Sequence, residues 1–185
     1  MLEPILKELR EKMDKTLDVM LRDFSNVRTG RANPGILDGI RVEYYGAQVP
    51  IQQVAGISVV EGRTLEIKPF DKSVLGEIEK AVFQANLGLT PQNDGKVIRL
   101  SFPQPTEEGR RELAKQVKKL AEEARVSLRN IRRDANEKIK ALGKAKTLSE
   151  DQVKDGEAQV QKATDAQIKR VDELAAKKET EILTL

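Results

Sequence analysis

The chain has 185 residues and contains neither cysteine nor histidine. Without cysteine there is no disulfide, no thiolate nucleophile and no soft metal ligand. Without histidine the usual general base and the commonest metal ligand are missing, which leaves carboxylates, lysines and two tyrosines for proton transfer. Aromatic residues make up only 3% of the sequence, and none lies beyond Phe102. Long apolar runs are also lacking. None approaches the ~18 residues of a membrane span, and the opening MLEPILKELREKMDK is charged from its third residue. A soluble, cytoplasmic protein without cofactor or metal is expected.

Charge is abundant, and its distribution is uneven. The net charge is +3, yet residues 105–146 carry 13 basic and 7 acidic side chains while residues 147–185 carry 6 and 9. Residues 1–30 and 31–104 are each balanced. The positive excess therefore belongs to one segment, the one containing RNIRRDAN at 129–136.

Apolar periodicity assigns the elements. Leu2, Leu6, Leu9, Met13, Leu17, Met20, Phe24 and Val27 step by threes and fours, a helical seam ended by Gly30 and Asn33-Pro34-Gly35. A second seam runs through Leu113, Val117, Leu120, Ala124, Leu128, Ile131, Ala135, Ile139 and Leu142, with Thr106 as N-cap. A third, weaker seam uses Val153, Val160, Thr164, Ile168, Val171, Ala175 and Ile182. It starts at TLSEDQ, where Thr147 with Glu150 or Ser149 with Gln152 suits a capping box. Between the first two helices the period changes to two. IRVEYY, ISVV, RTLEIKPF and KVIRLSF read as strands, and SVLGEIEKAVFQANLG reads as a short helix with Val74, Ile78, Val82 and Ala85 inward.

The first helix cannot bury its stripe without the later pair. The expected fold is therefore α+β: an elongated three-helix bundle from residues 1–30 and 105–185, with a small α/β domain of mixed sheet plus one helix inserted at 31–104. Two crossings form a double-stranded hinge, at 28–35 and 103–106, with Arg31, Asn33, Pro34, Pro103, Gln104 and Pro105 as its candidate residues.

On a helical wheel with Arg129 at zero, Lys115, Lys118, Arg125, Arg132, Arg133, Asn136 and Lys140 fall within about 60°. The seam clusters near ~225°, and Glu112, Glu123, Asp134 and Glu137 lie between ~80° and ~140°. Only Glu122 interrupts the basic stripe. A merely solvated face would intersperse signs in i,i+4 pairs; this one separates them, which costs stability unless an anion is bound. Arginine's planar fork suits phosphate, so the strip reads as a nucleic-acid contact formed by Lys118, Arg125, Arg129, Arg132, Arg133 and Asn136. That reading requires the guanidinium groups to face outward rather than sit among carboxylates. Apart from Phe24 the bundle lacks aromatics for base stacking, and no helix-turn-helix, zinc or aromatic RNA-binding signature is present, which leaves structured RNA.

The stretches VRTGRANP, VEYYG, DKS, LGLTPQNDG and ARVSLRNIRRDANEKIK resemble the bacterial ribosome recycling factor, in order and over essentially the whole chain. The resemblance implies a three-helix bundle with an α/β domain inserted after the first helix. It also implies a translation factor that binds the post-termination ribosome. With elongation factor G, which hydrolyses the GTP, such a factor splits the ribosome into subunits so that messenger RNA and deacylated transfer RNA leave. The factor itself would be no enzyme. The bundle would touch ribosomal RNA of the large subunit near the peptidyl transferase centre, with Arg129, Arg132 and Arg133 inheriting the RNA contacts. The neutral inserted domain would meet elongation factor G through shape and apolar contacts. Tyr44, Tyr45 and Phe70 are candidates there, although ordinary sheet packing is the stronger reading for them.

Two other classes compete. A coiled-coil adaptor without RNA binding would show strict heptads and would dimerise, whereas these seams step nearer 3.6 and a folded unit interrupts them; a monomer is expected. A hydrolase built on Glu66 and Asp71 lacks an accompanying glycine loop or metal cluster.

Overall fold

The first apolar seam forms helix α1, Leu2–Asn26, which buries Leu6, Leu9, Met13, Leu17, Met20 and Phe24 along one stripe. At Val27 the backbone turns extended, with φ −71° and ψ 117°, and the helix stops. The molecule is described here by a computed structural model, which covers residues 1–27 and 30–184. Arg28 and Thr29, part of the first expected crossing, lie outside the described residues.

Hairpin β1 (Arg41–Tyr44) and β2 (Ala47–Pro50) follows, then a single helical turn α2 (Ile51–Val54), β3 (Ala55–Val60), β4 (Thr64–Pro69) and helix α3 (Leu75–Gln84). After these come β5 (Gln92–Asn93), β6 (Ile98–Ser101) and two long helices, α4 (Glu107–Lys144) and α5 (Glu150–Leu183). The chain divides into two units, Met1–Thr29 with Thr106–Leu185, and Gly30–Pro105. Gly30 and Pro105 thus fall in the inserted unit, one residue beyond the boundaries read from composition.

In the bundle, α4 and α5 supply the apolar surface that α1 needs. Val117, Ala121, Ala124, Leu128, Ala135 and Ile139 of α4 join Val160, Val171, Ala175 and Ile182 of α5 and the α1 stripe in one core. A fully buried leucine in such a seam contributes about 1.5–3 kcal/mol relative to exposure. The seams hold as read, with Leu113, Leu120, Ile131, Leu142, Val153 and Ile168 partly buried at their edges.

The helix ends follow local chemistry. Thr106 Oγ1 accepts the Gly109 N–H at 3.0 Å, beside Glu107 and Glu108 in the first turn of α4. At its far end Lys146 takes φ +59°, so that its N–H reaches Gly143 O at 3.0 Å and the Thr147 N–H reaches Leu142 O at 2.9 Å, the paired bonds of a Schellman stop. Of the two possible capping boxes the Ser149–Gln152 pair forms, and it starts α5. The turned-back helices then press together where side chains are absent. A Cβ on Gly143 would lie 2.7 Å from Val153 Cγ2, and one on Gly156 would lie 2.8 Å from Leu2 Cδ2.

The inserted unit has its own core of Leu37, Val42, Ile51, Leu65, Ile67, Ile78, Ile98 and Leu100. Its strands differ from the single mixed sheet expected. They form two sheets, β1-β2 and β3-β4-β6-β5, in which the described pairings are antiparallel. Alternation could not reveal direction, and β2, β5 and the four-residue α2 were too short to carry a periodic signal. Ala85 is a second correction. It caps α3 and is exposed, because the helix stops at Gln84 and Asn86 turns to φ +49°.

One carboxylate ties α1 to α4. Glu8 accepts from Lys12 Nζ at 2.6 Å within its own helix and from Lys138 Nζ at 2.7 Å on the neighbour. These two ammonium groups, Lys12 first, pull its pKa down to about 2. A depressed folded pKa gives stability that is present above the unfolded value of about 4.5 and is lost as pH falls through about 2. The variant Glu8→Gln is therefore expected to lose less stability than the parent on acidification across that window, measured by urea unfolding at a series of pH values. Parallel profiles would mean that the Glu8 bridges contribute nothing.

Candidate nucleic-acid interface

The basic stripe lies on α4, one continuous helix of 38 residues, so its side chains keep a constant angular relation to the buried seam. The tertiary surroundings divide the stripe into parts. Arg125 is held by α5: its Nη2 and Nε reach Asp172 Oδ1 at 2.7 and 2.9 Å, and its Nη1 reaches Glu122 Oε2 at 3.1 Å. Only 24% of its side chain is exposed. The two carboxylates raise its pKa against the opposing desolvation, so it is a fixed cation. Arg125 is thus tucked among carboxylates, contrary to the outward orientation the stripe requires. Arg129 folds back along the helix and gives one Nη1 contact to Glu122 Oε1 at 3.2 Å, with 40% of its side chain exposed.

Arg132, Arg133 and Lys118 are different. Among the described residues none of them has a carboxylate within 4.0 Å, and Arg133 and Lys118 are exposed while Arg132 is half-buried. Asn136 is half-buried in the same strip, and its Oδ1 has no hydrogen-bond partner among the described residues. Flanking lysines are paired, Lys115 with Glu112 at 3.2 Å and Lys140 with Glu157 of α5 at 3.6 Å. The unneutralised cations are therefore at the centre, in the RNIRRDAN segment, with Lys118 further toward the N-terminus of α4. Asp172 and Glu157 were invisible on a wheel of one helix. The acidic balance of the last segment was the available signal, without a register to place it.

Both connecting segments of the inserted unit are gripped by the turn between β3 and β4. Gly62 O accepts the Ala32 N–H at 2.9 Å, Arg63 O accepts the Phe102 N–H at 2.8 Å, and Arg63 Nη1 donates to Gln104 Oε1 at 3.0 Å. Asn33 Oδ1 caps the short 3-10 turn Pro34–Leu37 through the Gly35 N–H at 2.9 Å. Gly30, at φ +80°, lies so close to the other segment that a Cβ would be 2.5 Å from Pro105 Cδ. Arg31, Pro34 and Pro103 are exposed and Pro105 is half-buried. Arg63 and Gly62 were missed from sequence, since a turn two strands away announces no long-range pairing.

The aromatic candidates separate as well. Tyr44 packs against the inserted core, whereas Tyr45 and Phe70 are 82% and 73% exposed. Sheet packing thus accounts for the first and not for the other two. Of the carboxylates considered for hydrolysis, Glu66 pairs with Arg99 at 3.4 Å. Asp71 caps the following turn through the Ser73 N–H at 2.9 Å, which lowers its pKa.

A family model described as Ribosome recycling factor matches residues 20–183. The chain belongs to the ribosome recycling factor family. Ribosome-recycling factors of Clostridium kluyveri and Carboxydothermus hydrogenoformans are 51% and 53% identical to it, each over 185 residues and the full length of both chains. A solution structure of a ribosome recycling factor matches with a TM-score of 0.78 and 40% identity, over 100% of this chain and 98% of that one. A T. thermophilus ribosome recycling factor, described with E. coli elongation factor G bound to the E. coli post-termination complex, matches with a TM-score of 0.63 and 45% identity over 99% of each chain. The long helical bundle with a small α/β unit is the ribosome recycling factor fold, and the adaptor alternative is not favoured. No described helix is long and apolar enough to cross a membrane.

The division of the stripe has a measurable consequence. Truncating Arg125 removes the shared partner of Asp172 and Glu122, both of which water can solvate, together with the packing of its own half-buried stem, so Arg125→Ala is expected to lower unfolding free energy by about 1 kcal/mol. Arg133→Ala, which breaks no ion pair, should stay within about 0.5 kcal/mol. Equal losses in chemical denaturation would remove Arg125 from its bracing role.

Proposed function

We propose that this translation factor binds the post-termination ribosome in the cytoplasm through the outer flank of α4, and that Arg129, Arg132 and Arg133 contact ribosomal RNA of the large subunit. Lys118 and Asn136 extend the contact, and Arg125 braces it. The observation that carries this reading is a pair of adjacent arginines, Arg132 and Arg133, left without counter-charges among the described residues midway along a well-packed helix. Like charges held together without neutralisation favour a polyanion, and a guanidinium offers phosphate two parallel N–H donors. Family membership over the whole chain supports the identity of that polyanion.

Acting with elongation factor G and the GTP that this partner hydrolyses, the protein promotes separation of the subunits and release of messenger RNA and deacylated transfer RNA. It performs no covalent chemistry itself. The bundle serves as a strut, and the two connections between units, around Arg31, Asn33 and Pro34 and around Pro103, Gln104 and Pro105, serve as a hinge. It acts as a monomer.

Arg132→Ala is expected to weaken binding to purified large subunits by about 1–3 kcal/mol and to reduce the salt slope by about one, read by sedimentation across a potassium chloride series. Unchanged affinity and slope would take Arg132 out of the interface. Replacing Asn33 and Pro34 by glycine and serine should leave ribosome binding nearly unchanged while slowing subunit splitting, followed by light scattering. Splitting at the parent rate would argue against a hinge at this turn.

A further inference from the structure

Four charged side chains form a single file across the bundle surface: Asp172 of α5, then Arg125, Glu122 and Arg129 of α4. The contacts are 2.7, 3.1 and 3.2 Å, with signs alternating throughout. Glu122 occupies a special position in this file. Between Lys115 and Lys140 it is the sole acid within the basic stripe on the wheel, and its two oxygens are divided between the arginines, Oε2 to Arg125 and Oε1 to Arg129. Arg125, braced by Asp172, keeps Glu122 in place. The carboxylate in turn draws Arg129 seven residues back along the helix, away from the free pair Arg132 and Arg133.

We propose that Glu122 is a built-in counter-ion of the arginine face, holding Arg129 partly neutralised and so limiting how tightly the face grips RNA. The inference rests on the reading of this face as the RNA contact. A phosphate approaching Arg129 meets a carboxylate already bonded to the same guanidinium. It must either displace that carboxylate or bind beside a second negative charge. Arg129 uses one N–H on Glu122, so its remaining donors stay available, and the exchange is graded rather than all-or-none. Side-chain hydrogen bonds from Arg125 and then Arg129 hold the Glu122 carboxyl below its usual range, so the counter-ion is fully charged at neutral pH.

A moderated grip suits a factor that must let go. Arg132 and Arg133 supply the standing attraction, and Glu122 subtracts from it at Arg129. Because Arg129 arrives already paired, it releases few counter-ions on binding and contributes little to the salt dependence of affinity. Removing the Glu122 charge turns Arg129 into a third free arginine.

The test uses the full-length protein and purified large ribosomal subunits, with binding measured by sedimentation across potassium chloride concentrations. Glu122→Gln is expected to tighten binding about three- to tenfold at low salt and to steepen the salt slope by about one. Glu123→Gln changes the net charge equally but lies about 100° further round the helix, so it should change affinity less than twofold. Unchanged or weaker binding by the Glu122 variant overturns the proposal, and so does equal tightening by the Glu123 variant. Arg132→Ala and Arg133→Ala run in parallel. If neither weakens binding, the RNA-face reading fails and the counter-ion role fails with it. If both weaken it while Glu122→Gln does not tighten it, the counter-ion role alone fails.

Discussion

The structure depends on one constraint: the apolar stripe of α1 has no partner within the next eighty residues of chain. Leu6, Leu9, Met13, Leu17, Met20 and Phe24 are buried only because α4 and α5 return to cover them. Closing that loop is entropically unfavourable, but the cost grows only slowly with loop length and falls further when the intervening segment folds by itself. The inserted unit does so, around Leu65, Ile67, Ile98 and Leu100 on its sheet and Ile78 on α3. Two cores, each complete, are what allow a bundle to be assembled from distant parts of one sequence.

Within the bundle the same seam organises the charges. Because α4 is a long uninterrupted helix, fixing its apolar side toward α1 and α5 fixes every other side chain by angle. The side toward α1 carries Lys138, which meets Glu8. The side toward α5 carries Arg125 and Lys140, which meet Asp172 and Glu157. Among the described residues, Arg132 and Arg133 lie where neither neighbour brings an acid within 4.0 Å. A cationic surface of this kind results from what the adjacent helices leave unneutralised as much as from the arginines themselves. Glu122 adds an internal acid to that balance and grades it from Arg125, fully engaged, through Arg129, half engaged, to the free pair.

The inserted unit shows a comparable economy around its β3–β4 turn. Gly62 and Arg63 receive backbone N–H groups from both connecting segments, and the Arg63 guanidinium adds a side-chain bond to Gln104. The segments by which the chain enters and leaves are held by one short turn.

From the sequence alone the three seams, the Thr106 cap, a capping box within TLSEDQ and the inserted order of the units were legible, because caps and 3.6-residue periodicity are local properties encoded within a few residues; which of the two possible boxes forms was settled only in the fold. The gathering of cations on one flank of α4 was legible for the same reason, since a helix converts spacing into angle. Strand direction, the division into two sheets, the exposure of Ala85 and the pairing of Arg125 with Asp172 were decided only by the tertiary structure. Each depends on which distant segment arrives opposite and in what register, and periodicity along one element carries no information about its neighbour.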